Sequence, residues 1–125
     1  FTIGVSAVTG DLTIAVGYAD GDTTTGVASG TNKQVDGDVL KAGVKYVSGD
    51  ITMNLGVVSG TGTDNIFAGT DTKTDSHDEV NASLTYAVAS GVSAILGYTT
   101  VDQNDEGASD TTGGSSWYVG ATMSF

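Results

Sequence analysis

The chain of 125 residues contains no cysteine and no proline. Without cysteine, disulfides, thiolate nucleophiles and cysteine-ligated metals are all excluded. Proline interrupts the hydrogen-bond ladder of a sheet, so its absence suits a protein built of continuous strands. Arginine is also missing, and only four lysines stand against 15 acidic residues, for a net charge of −11. Nucleic-acid binding needs a basic surface and is not expected. No apolar run approaches the ~20 residues of a membrane-spanning helix, and no amino-terminal signal segment is visible. Leu, Lys and Glu, which populate helices, are scarce.

What is present is alternation. Apolar residues at every second position mark a half-buried strand, and seven segments carry that pattern: 1–8, 12–19, 39–48, 51–59, 80–89, 92–101 and 117–125. One face of the second, for example, holds Leu12, Ile14, Val16 and Tyr18, and the other Thr13, Ala15 and Gly17. The sixth is less regular, with Ile95 on the polar side. Thr9-Gly10-Asp11, Ser48-Gly49-Asp50 and Ser90-Gly91 read as tight hairpin turns. Between the hairpins, 20–38, 60–79 and 102–116 are rich in Gly, Thr, Asp and Ser and read as long solvated loops. The segments 11–18, 50–57 and 91–98 align without gaps, each with Gly one place before its end: Gly17, Gly56 and Gly97. The repeat unit is therefore a hairpin, not a four-stranded propeller blade. The expectation is one domain over residues 1–125.

Three features favour a membrane barrel over a soluble sandwich. The polar face is small and almost uncharged, with only Lys41 and Lys45 ionised inside a strand. Aromatics lie near strand ends on the apolar face: Tyr18, Tyr98 and Trp117 beside the long loops, and Tyr46, Tyr86 and Phe125 toward the tight turns. Such placement suits the aromatic girdles at the two membrane interfaces, where the ring is apolar and the hydroxyl stays wet. Loops are long on one side and tight on the other, as in outer-membrane barrels. Phe1 stands in mid-strand, which suggests that the sheet lacks strands upstream.

The last nine residues, Trp117-Tyr-Val-Gly-Ala-Thr-Met-Ser-Phe125, resemble the terminal strand of Gram-negative outer-membrane porins, and the Gly- and Asp-rich, Arg-free style resembles the alphaproteobacterial type. The resemblance implies a bacterial outer-membrane location and a sixteen-stranded antiparallel barrel, trimeric, that passes small hydrophilic solutes. It also implies recognition of the last strand by the barrel assembly machinery. This chain would supply the last seven strands, with an odd number missing upstream. The inward-folded constriction loop and facing Arg cluster of that family are not found here.

On this reading Lys41, Lys45, Thr52, Asn54, Asn81, Ser83, Thr85, Tyr118, Thr122 and Ser124 line the pore. The acidic loops and few bases predict a weak cation preference. No enzymatic activity is expected. His77 in Asp75-Ser-His-Asp-Glu79 has triad residue types but sits on a predicted loop, without the rigid frame a triad needs. Asp71-Thr-Lys-Thr-Asp75 places Lys73 where a calcium loop needs a ligand. No tightly bound cofactor or metal is expected. A loosely held divalent cation at Asp20, Asp22, Asp36 and Asp38, or at 64–79, would bridge to lipopolysaccharide. Two other readings compete: a small outer-membrane barrel with a packed interior serving as a structural or adhesive surface protein, and a soluble secreted β-domain.

Overall fold

A computed structural model of the chain describes residues 1–26, 32–65, 73–105 and 111–124. These form one antiparallel sheet of seven strands in sequence order: β1 (Thr2–Thr9), β2 (Leu12–Gly26), β3 (Asn32–Ser48), β4 (Ile51–Asn65), β5 (Lys73–Ala89), β6 (Val92–Asn104) and β7 (Thr111–Met123). There is no helix among the described residues. The sheet is not closed: each strand contacts only its sequence neighbours, and β1 and β7 do not meet. Phe125 lies outside the described residues, as does Asp71.

The three expected tight turns are present. Gly10, Gly49 and Gly91 have φ of 56°, 55° and 74°, the left-handed region that glycine enters without a Cβ clash. Each turn also ties its hairpin to the next. The carbonyls of Asp11, Asp50 and Gly91 accept from the amides of Val47 (2.9 Å), Ala87 (2.8 Å) and Ser124 (2.9 Å). The three repeats thus use equivalent atoms in equivalent bonds.

The long polar stretches depart from expectation. Much of 20–26, 32–38, 60–65, 73–79 and 102–104 is paired strand, not loop. Gly, Thr and Asp are turn-forming residues, but here polar residues on both faces erase the alternation while the backbone ladder continues. His77 accordingly stands on β5, opposite Gly60 on one side and Gln103 on the other. The irregularity of the sixth segment is as expected: Ile95 pairs with Thr85 and Gly120 on the polar face. A bulge between Ala87 and Ala89 leaves Val88 without an opposite residue.

No hydrophobic side chain is buried among the described residues. A single sheet has no second layer to cover either face. Val119 is 82% exposed, Trp117 70% and Ile3 60%.

Candidate functional site

The register sorts the side chains onto two faces of different character. On the apolar face every strand presents four apolar or aromatic residues at alternate positions: Phe1 to Ala7, Leu12 to Tyr18, Leu40 to Tyr46, Ile51 to Val57, Val80 to Tyr86, Val92 to Tyr98 and Trp117 to Met123. These quartets are not level with the register. The top of β2 and β3 is the pair Tyr18–Leu40, that of β4 and β5 is Val57–Val80, and that of β6 and β7 is Tyr98–Trp117. Ala42 is opposite Val57 and Ala82 opposite Tyr98, so each top lies two residues below the last. Phe1, bonded to Asp20, continues the steps upward at β1. The turns step down with them.

Two residues advance ~6.6 Å along a strand while two strands advance ~9.6 Å across the sheet. The band therefore crosses the strands at about 35° from their perpendicular. Four alternate positions cover about eight residues, so the band is about 22 Å high measured square to its edges. Just above it on the same face the residues become acidic: Asp20 is opposite Asp38, Asp22 opposite Asp36, and Asp78 opposite Asp102. The Tyr18 hydroxyl donates to Asp20 Oδ2 at 3.3 Å, and Thr61 Oγ1 donates to Asp38. Among the described residues no group of three or more His, Asp or Glu is arranged to hold a metal ion.

The aromatics Tyr18, Tyr46, Tyr86, Tyr98 and Trp117 all lie on the apolar face, at the upper or lower end of their quartets. Tyr98 and Trp117 are in contact with ring centroids 4.5 Å apart, and Phe1 and Tyr18 with centroids 5.8 Å apart.

The register puts Lys41, Lys45, Thr52, Asn54, Asn81, Ser83, Thr85, Tyr118 and Thr122 together on the polar face. Ser124 follows β7, its amide bonded to Gly91. One register row, Thr13–Lys45–Asn54–Ser83–Gly97–Tyr118, crosses six strands. Lys45, Asn54, Ser83 and Tyr118 line a depression of about 470 Å³ floored by Gly43 and Gly56. Asn54 Nδ2 donates to Ser83 Oγ at 3.1 Å. A second depression, of about 520 Å³, lies beside Lys41 and Asn81.

Higher on this face a hydrogen-bonded chain crosses from β6 to β5. Gln103 Nε2 is 3.0 Å from His77 Nδ1, His77 Nε2 is 3.5 Å from Glu79 Oε2, and Asn81 Nδ2 donates to Glu79 Oε1 at 2.5 Å. Glu79 stands beyond the apolar quartet of its strand. The Asn81 hydrogen bond, then His77, hold its carboxyl below the usual carboxylate range. Sequence reading set Glu79 aside with the Asp75–Glu79 segment as a loop and did not consider Gln103. The signal was there for Glu79, since Asp75, His77, Glu79, Asn81 and Ser83 occupy alternate positions of one strand face.

No family model, curated protein or solved structure matches this chain.

Proposed function

We propose that this sheet is part of the wall of a bacterial outer-membrane channel that passes small hydrophilic solutes by passive diffusion, with a weak cation preference. The slanted apolar band carries the reading. A sheet spanning lipid must present apolar residues over one slab of constant thickness while its strands tilt ~35–45° to the membrane normal. Tilted strands in a level slab place the apolar residues in steps across the register. Steps of two residues per strand pair correspond to a tilt of about 35°. The height of about 22 Å is close to the ~25 Å apolar band of such barrels.

The edges support closure by other strands. Phe1 directs its backbone groups to Asp20 and Ser124 its amide to Gly91. By the alternation of an antiparallel ladder, Thr2, Gly4, Ser6 and Val8 then point theirs out of one edge, and Trp117, Val119, Ala121 and Met123 out of the other. Unpaired backbone groups are costly in hydrocarbon, so both edges require neighbours. β1 and β7 run in the same direction. Closing the ring with antiparallel pairs alone needs an odd number of further strands, in accord with the sixteen-stranded, trimeric barrel that the resemblance implies.

The polar face then faces the channel. Its Gly43 and Gly56, with Ala15, leave space that a packed interior would fill. The carboxyl-terminal strand is assigned to recognition by the assembly machinery, and the aspartates above the band to divalent cations that bridge to lipopolysaccharide.

Reconstitution into planar bilayers tests the proposal. The complete barrel, with the further strands that close this sheet, is expected to conduct, with a reversal potential in a KCl gradient on the cation-selective side. Quenching of Trp117 by lipids brominated at graded depths should place it at an interface. Monomeric folding of this chain in plain buffer without detergent, or absence of current from the correctly folded complete barrel, would defeat the reading.

A further inference from the structure

Gly97 is the one buried residue among those whose exposure is described, and Tyr118 is what buries it. A Cβ on Gly97 would lie 1.9 Å from Tyr118 Cζ, 2.1 Å from Cε1 and 2.3 Å from the hydroxyl oxygen. The far end of the ring therefore occupies the place of a missing side chain. Tyr118 does not stand up from β7 but lies across β6, pointing toward Ser83 of β5. Covering a strand glycine with a cross-strand aromatic is a known way of restoring packing. Here it also leaves the residue 51% exposed, with an aromatic surface open on the polar side.

The rest of the register row completes a site. From Gly97 to Lys45 is three strand spacings, about 14 Å. Between them lie Ser83 and Asn54 in their hydrogen-bonded pair. That bond uses one Asn54 amide hydrogen and leaves its carbonyl as an acceptor and the Ser83 hydroxyl hydrogen as a donor. Lys45 adds ammonium donors. The depression these residues share, about 470 Å³, lies within the ~300–1,000 Å³ of small-molecule sites.

We infer that Tyr118, Ser83, Asn54 and Lys45 form a subsite for a neutral pyranose sugar, the ring stacking on Tyr118 and its hydroxyls meeting the other three side chains. An aromatic face attracts either a cation or polarised C–H groups. The only charged residue of this register row is Lys45, so the row holds no carboxylate to pair with a cation. A pyranose supplies a face of C–H groups and a rim of hydroxyls that both donate and accept. The inference rests on the channel reading, because it takes this face to be the one solutes pass.

Two measurements on the complete folded barrel separate the inference from that reading. In planar bilayers, a pyranose disaccharide added at millimolar concentration is expected to reduce the ion current saturably, and a linear hexitol at equal concentration is not. Tyr118→Leu, which removes the ring, is expected to weaken the block roughly tenfold. Gly97→Ala keeps the ring but puts a methyl where it lies, so it is expected to weaken the block similarly. Saturation-transfer NMR in detergent reads sugar contact whether or not the protein conducts. Heat-modifiable gel mobility checks that each variant is folded. Current with equal effects of disaccharide and hexitol, or a block unchanged in folded Gly97→Ala and Tyr118→Leu, overturns the subsite and leaves the channel. Absence of current overturns the channel, and absence of NMR contact with the sugar overturns the subsite.

Discussion

The lower and upper tiers of the sheet are paired by the same backbone ladder but differ in what the ladder carries. In the lower tier every strand has its apolar quartet, and one face is uniform from β1 to β7. In the upper tier, above Tyr18 on β2 and Val80 on β5, the apolar quartets end, most residues of both faces are polar and like charges stand opposite one another, as at Asp20–Asp38 and Asp78–Asp102. Like charges directly opposite oppose strand pairing. The comparison teaches that pairing here does not need alternation. Alternation is confined to the apolar band, and the ladder extends beyond it.

The largest effect should come from putting a charge in the quartets. Leu84→Arg, in the middle of the β5 quartet, is expected to destabilise the protein by about 2–4 kcal/mol in lipid. Ser76→Arg, on the same face in the upper tier, should stay within about 0.5 kcal/mol. Urea unfolding in bilayers measures both, and equal losses would erase the distinction between tiers.

The turns below the quartets come next. Gly49→Ala forces an L-residue into the left-handed region at a cost of about 1–2 kcal/mol. At Gly91 the added Cβ would also come within 2.7 Å of the Ser124 carbonyl oxygen, whereas nothing lies within 4 Å at Gly49. Gly91→Ala should therefore be the more damaging of the two in the same assay.

Smaller effects are expected in the upper tier. Asp38→Asn removes one charge of the facing Asp20–Asp38 pair and keeps an oxygen to accept from Thr61. It should stabilise by about 0.2–1 kcal/mol, with the gain shrinking at high salt. The smallest effect concerns Glu79. Its lowered pKa means that its contribution is present at neutral pH and is lost as pH falls through that depressed value. Carboxyl NMR titration should find Glu79 titrating below a free glutamate, and Asn81→Ala should move it back upward.

Most of the strands were legible. The quartets announce themselves because side chains alternate with period two and lipid-facing or core-facing positions must be apolar. The Gly-bearing turns were equally plain. The upper tier was not, because Gly, Thr and Asp are the residues of loops and nothing in 32–38 or 73–79 alternates in hydropathy. The residues named from the alternation, Tyr118 and Ser83 among them, share one face of the sheet. Their neighbours were not legible. Gly17, Gly56 and Gly97 are equivalent in the repeat, yet only Gly97 lies beneath a side chain.

By itself the sequence determined the strand number, the tight turns and which side chains share a face, since these follow from local periodicity and from glycine's access to positive φ. Only the tertiary structure decided how far the strands run past the apolar band, the two-residue steps of that band, and the laying of Tyr118 over Gly97. Those depend on register between strands joined by long polar connections, and register is set by pairing across the sheet, which no single strand encodes.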